Sequence, residues 1–315
     1  MLKPHLACDL DESKLKFPLI GLPKIDGVRG INLDGTIKQR SLKPIPNKFL
    51  TAKYSGDEFI GFDGELALTG KETAWDLCRT TTSAVRRASG EPDVEWHLFD
   101  YLHPDVLHLG YEDRLKALAR KIADNFSFYV SRNIKFVSRD RLDSLQDFLN
   151  FENWCMEAGY EGVIVRDPEG MHKSGRATVK VGAYMRRKPF VDFEGIIVSF
   201  EEALENQNEA KTNELGRSER STHQENMVPK GMIGNITMQA LADVVYMDKV
   251  LIQKGQLVTV GPGELPHDLR KHYFDNPGEF TGQIGKAKFF AHGQKDKPRM
   301  PTFISLRDAG DMVDE

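Results

Sequence analysis

The chain has 315 residues, of which 40% are hydrophobic and 29% charged, with a formal net charge of -4. That is enough for one large domain or two ordinary ones with a buried core, and it lacks the basic excess that announces a nucleic-acid binder. Three cysteines without C-x-x-C spacing, Cys8, Cys78 and Cys155, exclude a disulfide framework or zinc ribbon and fit a reducing cytoplasm, and neither a signal core after Met1 nor a run of about 18 apolar residues points to a membrane.

From Pro18 to Leu68 short apolar runs alternate with glycine and Asp-Gly pairs, as in Asp34-Gly35 and Asp63-Gly64, which predicts hairpin-rich sheet. Residues 72–89 read as helical. Leu115, Leu118, Ala119 and Ile122 recur at helical spacing within 112–125, and Leu142, Leu145, Phe148 and Leu149 do so toward Ala158. Strands return at Gly162–Val165 and Tyr184–Pro189. Near Phe190 the texture changes to short strands and turns with little helical periodicity, the pattern of a small barrel, so a domain boundary is expected there. Within that second half, residues 201–231 are polar and poor in aliphatics. They read as a disordered loop or as an arm that orders on a partner.

The chemistry begins at Lys24-Ile25-Asp26-Gly27-Val28-Arg29, where an amine and a carboxylate two residues apart share one face of a strand. An amine attacks only when neutral, which at an ordinary lysine pKa costs roughly 4 to 5 kcal/mol at pH 7. By itself the motif also describes a solvated hairpin. Asp63 and Glu65 share a face by the same spacing and suit a hydrated cation or ribose hydroxyls, or simply a turn. Phe99, before Asp100, offers a face for stacking on a base, or belongs to a core. Glu161 stands at the mouth of an apolar strand, where a carboxylate needs a metal or a cation. Arg186 and Lys188 suit a triphosphate, or guard an edge strand.

Taken in order, K-x-D-G-x-R, D-G-E, F-D, E-G-V-I-V-R and R-x-K resemble the motif series of the covalent nucleotidyltransferases, the superfamily of DNA ligases, RNA ligases and mRNA capping enzymes. The resemblance continues through Gly216–His223 and Pro298–Arg307, and is nearest to the minimal viral and phage ATP-dependent DNA ligases. It implies an α+β fold: a nucleotidyltransferase (adenylation) domain of antiparallel sheets and helices, residues 1–189, followed by a small OB-fold barrel, residues 190–315, with a latch-like insertion at about 201–231.

The resemblance also implies roles. Lys24 attacks the α-phosphate of ATP, the AMP passes to a 5′-phosphate at a nick, and the 3′-hydroxyl displaces it. Arg29 and Glu65 hold the ribose, Phe99 stacks on adenine, Arg186 and Lys188 face the α-phosphate, and Asp63 with Glu161 holds Mg2+ or Mn2+. Arg299 and Arg307-Asp308 belong to an element that orients pyrophosphate, Arg40 and Arg176 to the nick 5′-phosphate, and Arg217, Arg220 and Lys230 to a latch on duplex DNA. The family has lysine where this chain has Arg186, which replaces a compact ammonium with a planar fork. Nicked duplex DNA is the expected partner of a cytoplasmic monomer, with no obligatory protein partner. An RNA ligase or a GTP-using capping enzyme shares the lysine motif, and a noncatalytic nick-binding clamp is the reading from another class.

Overall fold

The structure, a computed structural model, describes residues 2–307; Met1 and Asp308, both used above, lie outside the described residues. The chain divides into two compact units, with the break between Lys188 and Pro189.

The first unit begins with a strap of two short strands, β1 (His5–Leu6) and β2 (Cys8–Asp9), and then enters β3 (Leu19–Lys24). β3 is buried up to Pro23 and half-buried only at Lys24, as its unbroken apolar run requires. Next come β4 (Val28–Asn32), β5 (Ile37–Lys38), α1 (Lys48–Tyr54), β6 (Phe62–Leu68), α2 (Leu77–Arg86) and β7 (Val94–Tyr101). The unit continues through α3 (Tyr111–Asp124), α4 (Phe126–Val130), β8 (Ile134–Phe136), β9 (Asp140–Leu142) and α5 (Leu145–Glu157). It ends with β10 (Gly162–Arg166), β11 (Gly175–Arg176) and β12 (Tyr184–Arg187). The sheet pattern expected for 18–68 misses α1, which buries only Leu50 and Tyr54 and so has almost no periodic signal. Its start is set by Asn47, whose side chain accepts from the Leu50 amide and donates to the carbonyls of Arg87 and Gly90. The helix expected over 72–89 is confined to α2.

Two five-stranded sheets result, in the orders β2-β12-β10-β3-β9 and β5-β4-β6-β7-β8. Ile20 and Leu22 of β3, Ala67 of β6 and Leu115 of α3 share one buried cluster. Phe148, Phe151 and Cys155 of α5 pack with Leu19 and Val163 in a second, and Leu66, Trp96 and Leu98 pack with Leu50 and Tyr54 of α1 in a third.

The second unit contains β13 (Phe190–Asn206), β14 (Ala210–Thr212), β15 (Ser218–Arg220), β16 (Met227–Ala240), β17 (Val244–Tyr246), β18 (Lys249–Ile252) and β19 (Leu257–Val260). After α6 (His267–Asp275) it closes with β20 (Ile284–Phe290) and β21 (Arg299–Arg307). Its main sheet runs β19-β16-β13-β20-β21, and a bridge from Gly261 to Thr302 ties the β19 edge back to β21, curling the sheet toward a barrel. Three features differ from the sequence expectation. β13 has 17 residues and β16 has 14, so the strands are not all short. A helix, α6, is present although it buries no residue completely, and this is why no apolar period betrays it. The polar stretch 201–231 is a folded ribbon, in which Glu202 pairs with Ile233 and Asn206 with Met227, capped by the β14–β15 hairpin. Its order comes from the backbone ladder and from asparagines. Asn206 donates to the Ser221 carbonyl, and Asn208 to those of Ser221 and His223.

Candidate active site

β3 and β10 run antiparallel with Lys24 opposite Gly162, and the Glu161 amide donates to the Lys24 carbonyl at 3.0 Å. This register sets the Glu161 carboxylate against the Lys24 amine. β12 pairs with β10 on the other side, Arg187 opposite Val163, and so delivers Lys188 to the same carboxylate. Lys24 Nζ donates to Glu161 Oε2 and Lys188 Nζ to Oε1, so one carboxylate that is 3% exposed carries two ammonium groups. Only glycine fits at position 162, because a Cβ there would meet the Arg187 carbonyl at 2.1 Å. Gly27 plays the same part toward β6: its Cβ would lie 2.2 Å from the Leu66 carbonyl and 2.9 Å from Glu65 Cγ, so its absence lets Glu65 approach.

On the second sheet Arg29 of β4 lies opposite Glu65 of β6, which lies opposite His97 of β7. Arg29 donates through Nε to Asp63 Oδ1 at 2.8 Å and through Nη2 to Oδ2, while Nη1 donates to the His5 carbonyl at 2.7 Å. Its guanidinium carbon sits 5.2 Å from the centre of the Phe99 ring. Arg29 thus has Glu65 across the strand pair and the Phe99 ring beside its guanidinium. Asp63 is fully buried and both its oxygens accept from Arg29, which fixes the orientation of the arginine. Asp26, 5% exposed, joins Glu65 and Glu161 around Lys24. These three carboxylates together favour the charged form of the Lys24 amine.

Electrostatics distinguishes the two lysines. Burial opposes the Lys24 charge, but Glu161, Glu65 and Asp26 outweigh it and hold its pKa above the ordinary value. Burial and the neighbouring Lys24 cation push Lys188 down, with Glu161 opposing. Glu65 is pushed up to about 7 by burial and by Glu161 and Asp26, against the pull of Lys24 and Arg29.

No family model matches the chain, and no curated protein matches it in sequence. Solved structures do. A Chlorella virus DNA ligase-adenylate is 26% identical, with a TM-score of 0.52 over 98% of this chain and 99% of that one. A structure from work on Lig E DNA ligases is 19% identical, with a TM-score of 0.67 over 97% and 99%. The bacteriophage T7 ATP-dependent DNA ligase in complex with ATP is 15% identical, with a TM-score of 0.50 over 97% and 98%. The fold is that of the DNA ligase nucleotidyltransferases.

Each remaining expected residue has its own local setting within its unit. Arg186 of β12 is turned to Asp9. Arg176 is exposed on β11 and donates to the Ala7 carbonyl at 2.8 Å, and Arg40 is exposed after β5. In the second unit Arg299 donates to the His292 carbonyl and Arg307 to Glu194 at 2.6 Å. Arg217 and Lys230 are exposed on the ribbon, and Arg220 there donates to the Asn208 carbonyl.

Sequence reasoning missed one buried network. Asp100 accepts from Arg114 Nε at 2.9 Å and Nη2 at 3.1 Å, and from Arg166 Nη1 at 2.7 Å, and all three residues are at most 3% exposed. Arg114 falls on the same helical stripe as Tyr111, Leu115, Leu118 and Ile122, and a charge on an apolar stripe demands a partner. In a set of metal-type donors, Glu72, Glu95 and His97, two members are engaged with protein partners: His97 bonds Glu95 at 3.1 Å, and Lys135 pairs with Glu95 at 2.7 Å. Among the described residues no helix is long and apolar enough to cross a membrane.

Proposed function

We propose that the protein is an ATP-dependent DNA ligase of the minimal viral and phage type, sealing 3′-hydroxyl/5′-phosphate nicks in duplex DNA. The observation that carries the reading is the Lys24 amine at the end of β3, sharing the buried Glu161 carboxylate with Lys188 and influenced by Glu65, which lies opposite Arg29 with the Phe99 ring beside that arginine. The likeness to solved ATP-dependent DNA ligases over nearly the full chain supports it.

Lys24 Nζ, once deprotonated, attacks the α-phosphorus of ATP. A P–N bond forms, the bond to the bridging oxygen breaks, and pyrophosphate leaves with that electron pair. Phe99 offers the stacking face, and Arg29 and Glu65 hold the ribose. Lys188 neutralises charge growing on the α-phosphate, with Arg186 beside it. The AMP then moves to the nick 5′-phosphate, gripped by Arg40 and Arg176, and the 3′-hydroxyl displaces it. Glu161 with Asp63 would hold Mg2+ or Mn2+, which would supply charge neutralisation at the phosphates. Arg299 and Arg307 act on pyrophosphate, and the ribbon carrying Arg217, Arg220 and Lys230 binds the duplex backbone.

Incubation with labelled ATP, alongside Lys24→Ala and followed by a chase with nicked DNA, tests the reading. The wild-type protein acquires a labelled adenylate and loses it to the nick, whereas Lys24→Ala acquires none. Label on the variant defeats the assignment of Lys24. Label from GTP alone points to capping, discharge only on nicked RNA to an RNA ligase, and nick binding without label to the clamp.

A further inference from the structure

Three guanidinium groups from the expected nucleotide- and DNA-binding residues converge on the amino-terminal strap at alternating positions. Arg29 reaches the carbonyl of His5, Arg176 the carbonyl of Ala7, and Arg186 the carboxylate of Asp9. The strap is itself fixed. Lys3 donates its amide to Ser174 and receives His172 at its carbonyl, and the buried His5 ring packs edge-on between His172 and Tyr184. The Leu10 amide donates to the Arg186 carbonyl at 2.8 Å, and β2 runs parallel to β12 with Asp9 opposite Arg186.

Within this arrangement the Asp9–Arg186 contact is chemically particular. Asp9 Oδ1 accepts from Nε at 3.0 Å, and the side chain of Arg186 makes no other hydrogen bond among the described residues. The two terminal nitrogens of the fork are thus left to a ligand while the Nε edge is clamped. A lysine could not serve both partners this way, because its one ammonium would be drawn to Asp9.

We infer that Asp9 is a positioning residue, which aims the Arg186 guanidinium at a phosphate of the bound nucleotide and makes arginine, not lysine, the productive residue at that place. The phosphate rests on the ligase reading above. Asp9 touches no reacting atom in this scheme and acts through Arg186 alone. The pair is exposed on the Asp9 side, 84% for Asp9 against 28% for Arg186, so a bare ion pair contributes little and the aim of the fork is what matters.

Four proteins decide it: the wild type, Asp9→Asn, Arg186→Lys and the double variant. Each is measured for affinity toward inorganic tripolyphosphate by calorimetry and for the rate of AMP transfer to Lys24. Asp9→Asn weakens anion binding and transfer in the Arg186 background by up to about fivefold, the upper end for an exposed pair. In the Arg186→Lys background the same substitution strengthens both, because it releases the captured ammonium. A through-space effect of the Asp9 charge would instead strengthen binding in both backgrounds, and a purely structural role would weaken it in both. Either result overturns the inference. Absence of AMP transfer from the wild-type protein defeats the ligase reading, and the order of the four tripolyphosphate affinities still decides the role of Asp9.

Discussion

Lys24 rests in the wrong protonation state for attack. Three carboxylates hold its ammonium more firmly than water does, and burial alone would have done the opposite. The proton must leave before the P–N bond forms, and anything that drains negative charge from Glu161 favours that loss. The sign is testable without turnover. In competitive labelling with an amine-reactive reagent across pH, the Lys24 midpoint falls in Glu161→Gln relative to the wild type, because the largest favourable partner of the ammonium is gone. An unchanged or higher midpoint would mean that Glu161 does not set the charge. Glu65 adds a second control. With its pKa near 7 it gains a proton as pH drops below neutrality, which removes one of the anions that favour the ammonium.

At the scale of elements, β7, α3 and β10 are joined at Asp100, whose two oxygens receive Arg114 and Arg166. Burial disfavours the carboxylate charge, but the two guanidinium groups more than reverse that and hold its pKa well below the usual range. Its folded-state pKa lies below the unfolded value of about 3.9, so its stabilisation is full at neutral pH and fades as pH falls through the acid range. Asp100→Asn leaves two buried cations with one neutral partner and is expected to cost about 3 to 5 kcal/mol in urea unfolding at pH 7. The difference from wild type shrinks below pH 4. Equal stability at pH 7 would show that the arginines find other partners. This network also marks how far the sequence could be read. α3 and α5 follow from periodicity, whereas Lys24, Arg29, Glu65 and Phe99 stand out only through the order of the motifs, since each segment alone reads equally as a turn or a core strand. The strap was illegible, because two-residue strands carry no period and its partners lie some 170 residues away in sequence, as Ala7 and Arg176 do. The ribbon was illegible for a different reason. An arm exposed on both faces needs no aliphatic alternation, so its ladder leaves no trace in the composition.

Over the whole molecule the net charge is -4, and the ribbon does not relieve it: residues 201–231 contain seven glutamates against four lysines and arginines. Binding to duplex DNA, under the ligase reading, must therefore come from a few placed cations and not from a basic field. Each cation that meets a phosphate contributes about 0.9 to the slope of log affinity against log salt. Arg217→Ala should flatten the slope for nicked duplex by about one, with little change in AMP transfer to Lys24. Removing the tip is a larger test, and the register makes it feasible. Asn206 and Met227 are paired across the ribbon, so residues 207–226 can be replaced by a two-residue Asn-Gly turn without breaking the ladder below. The shortened protein is expected to keep its lysyl adenylate chemistry and to lose nick affinity at every salt concentration, most visibly at low salt, where phosphate contacts count most. If affinity and slope both match the wild type, the ribbon is not the DNA-binding element, and an acidic protein of this kind would have to find its duplex contacts among Arg40, Arg176 and the other exposed cations of the first unit.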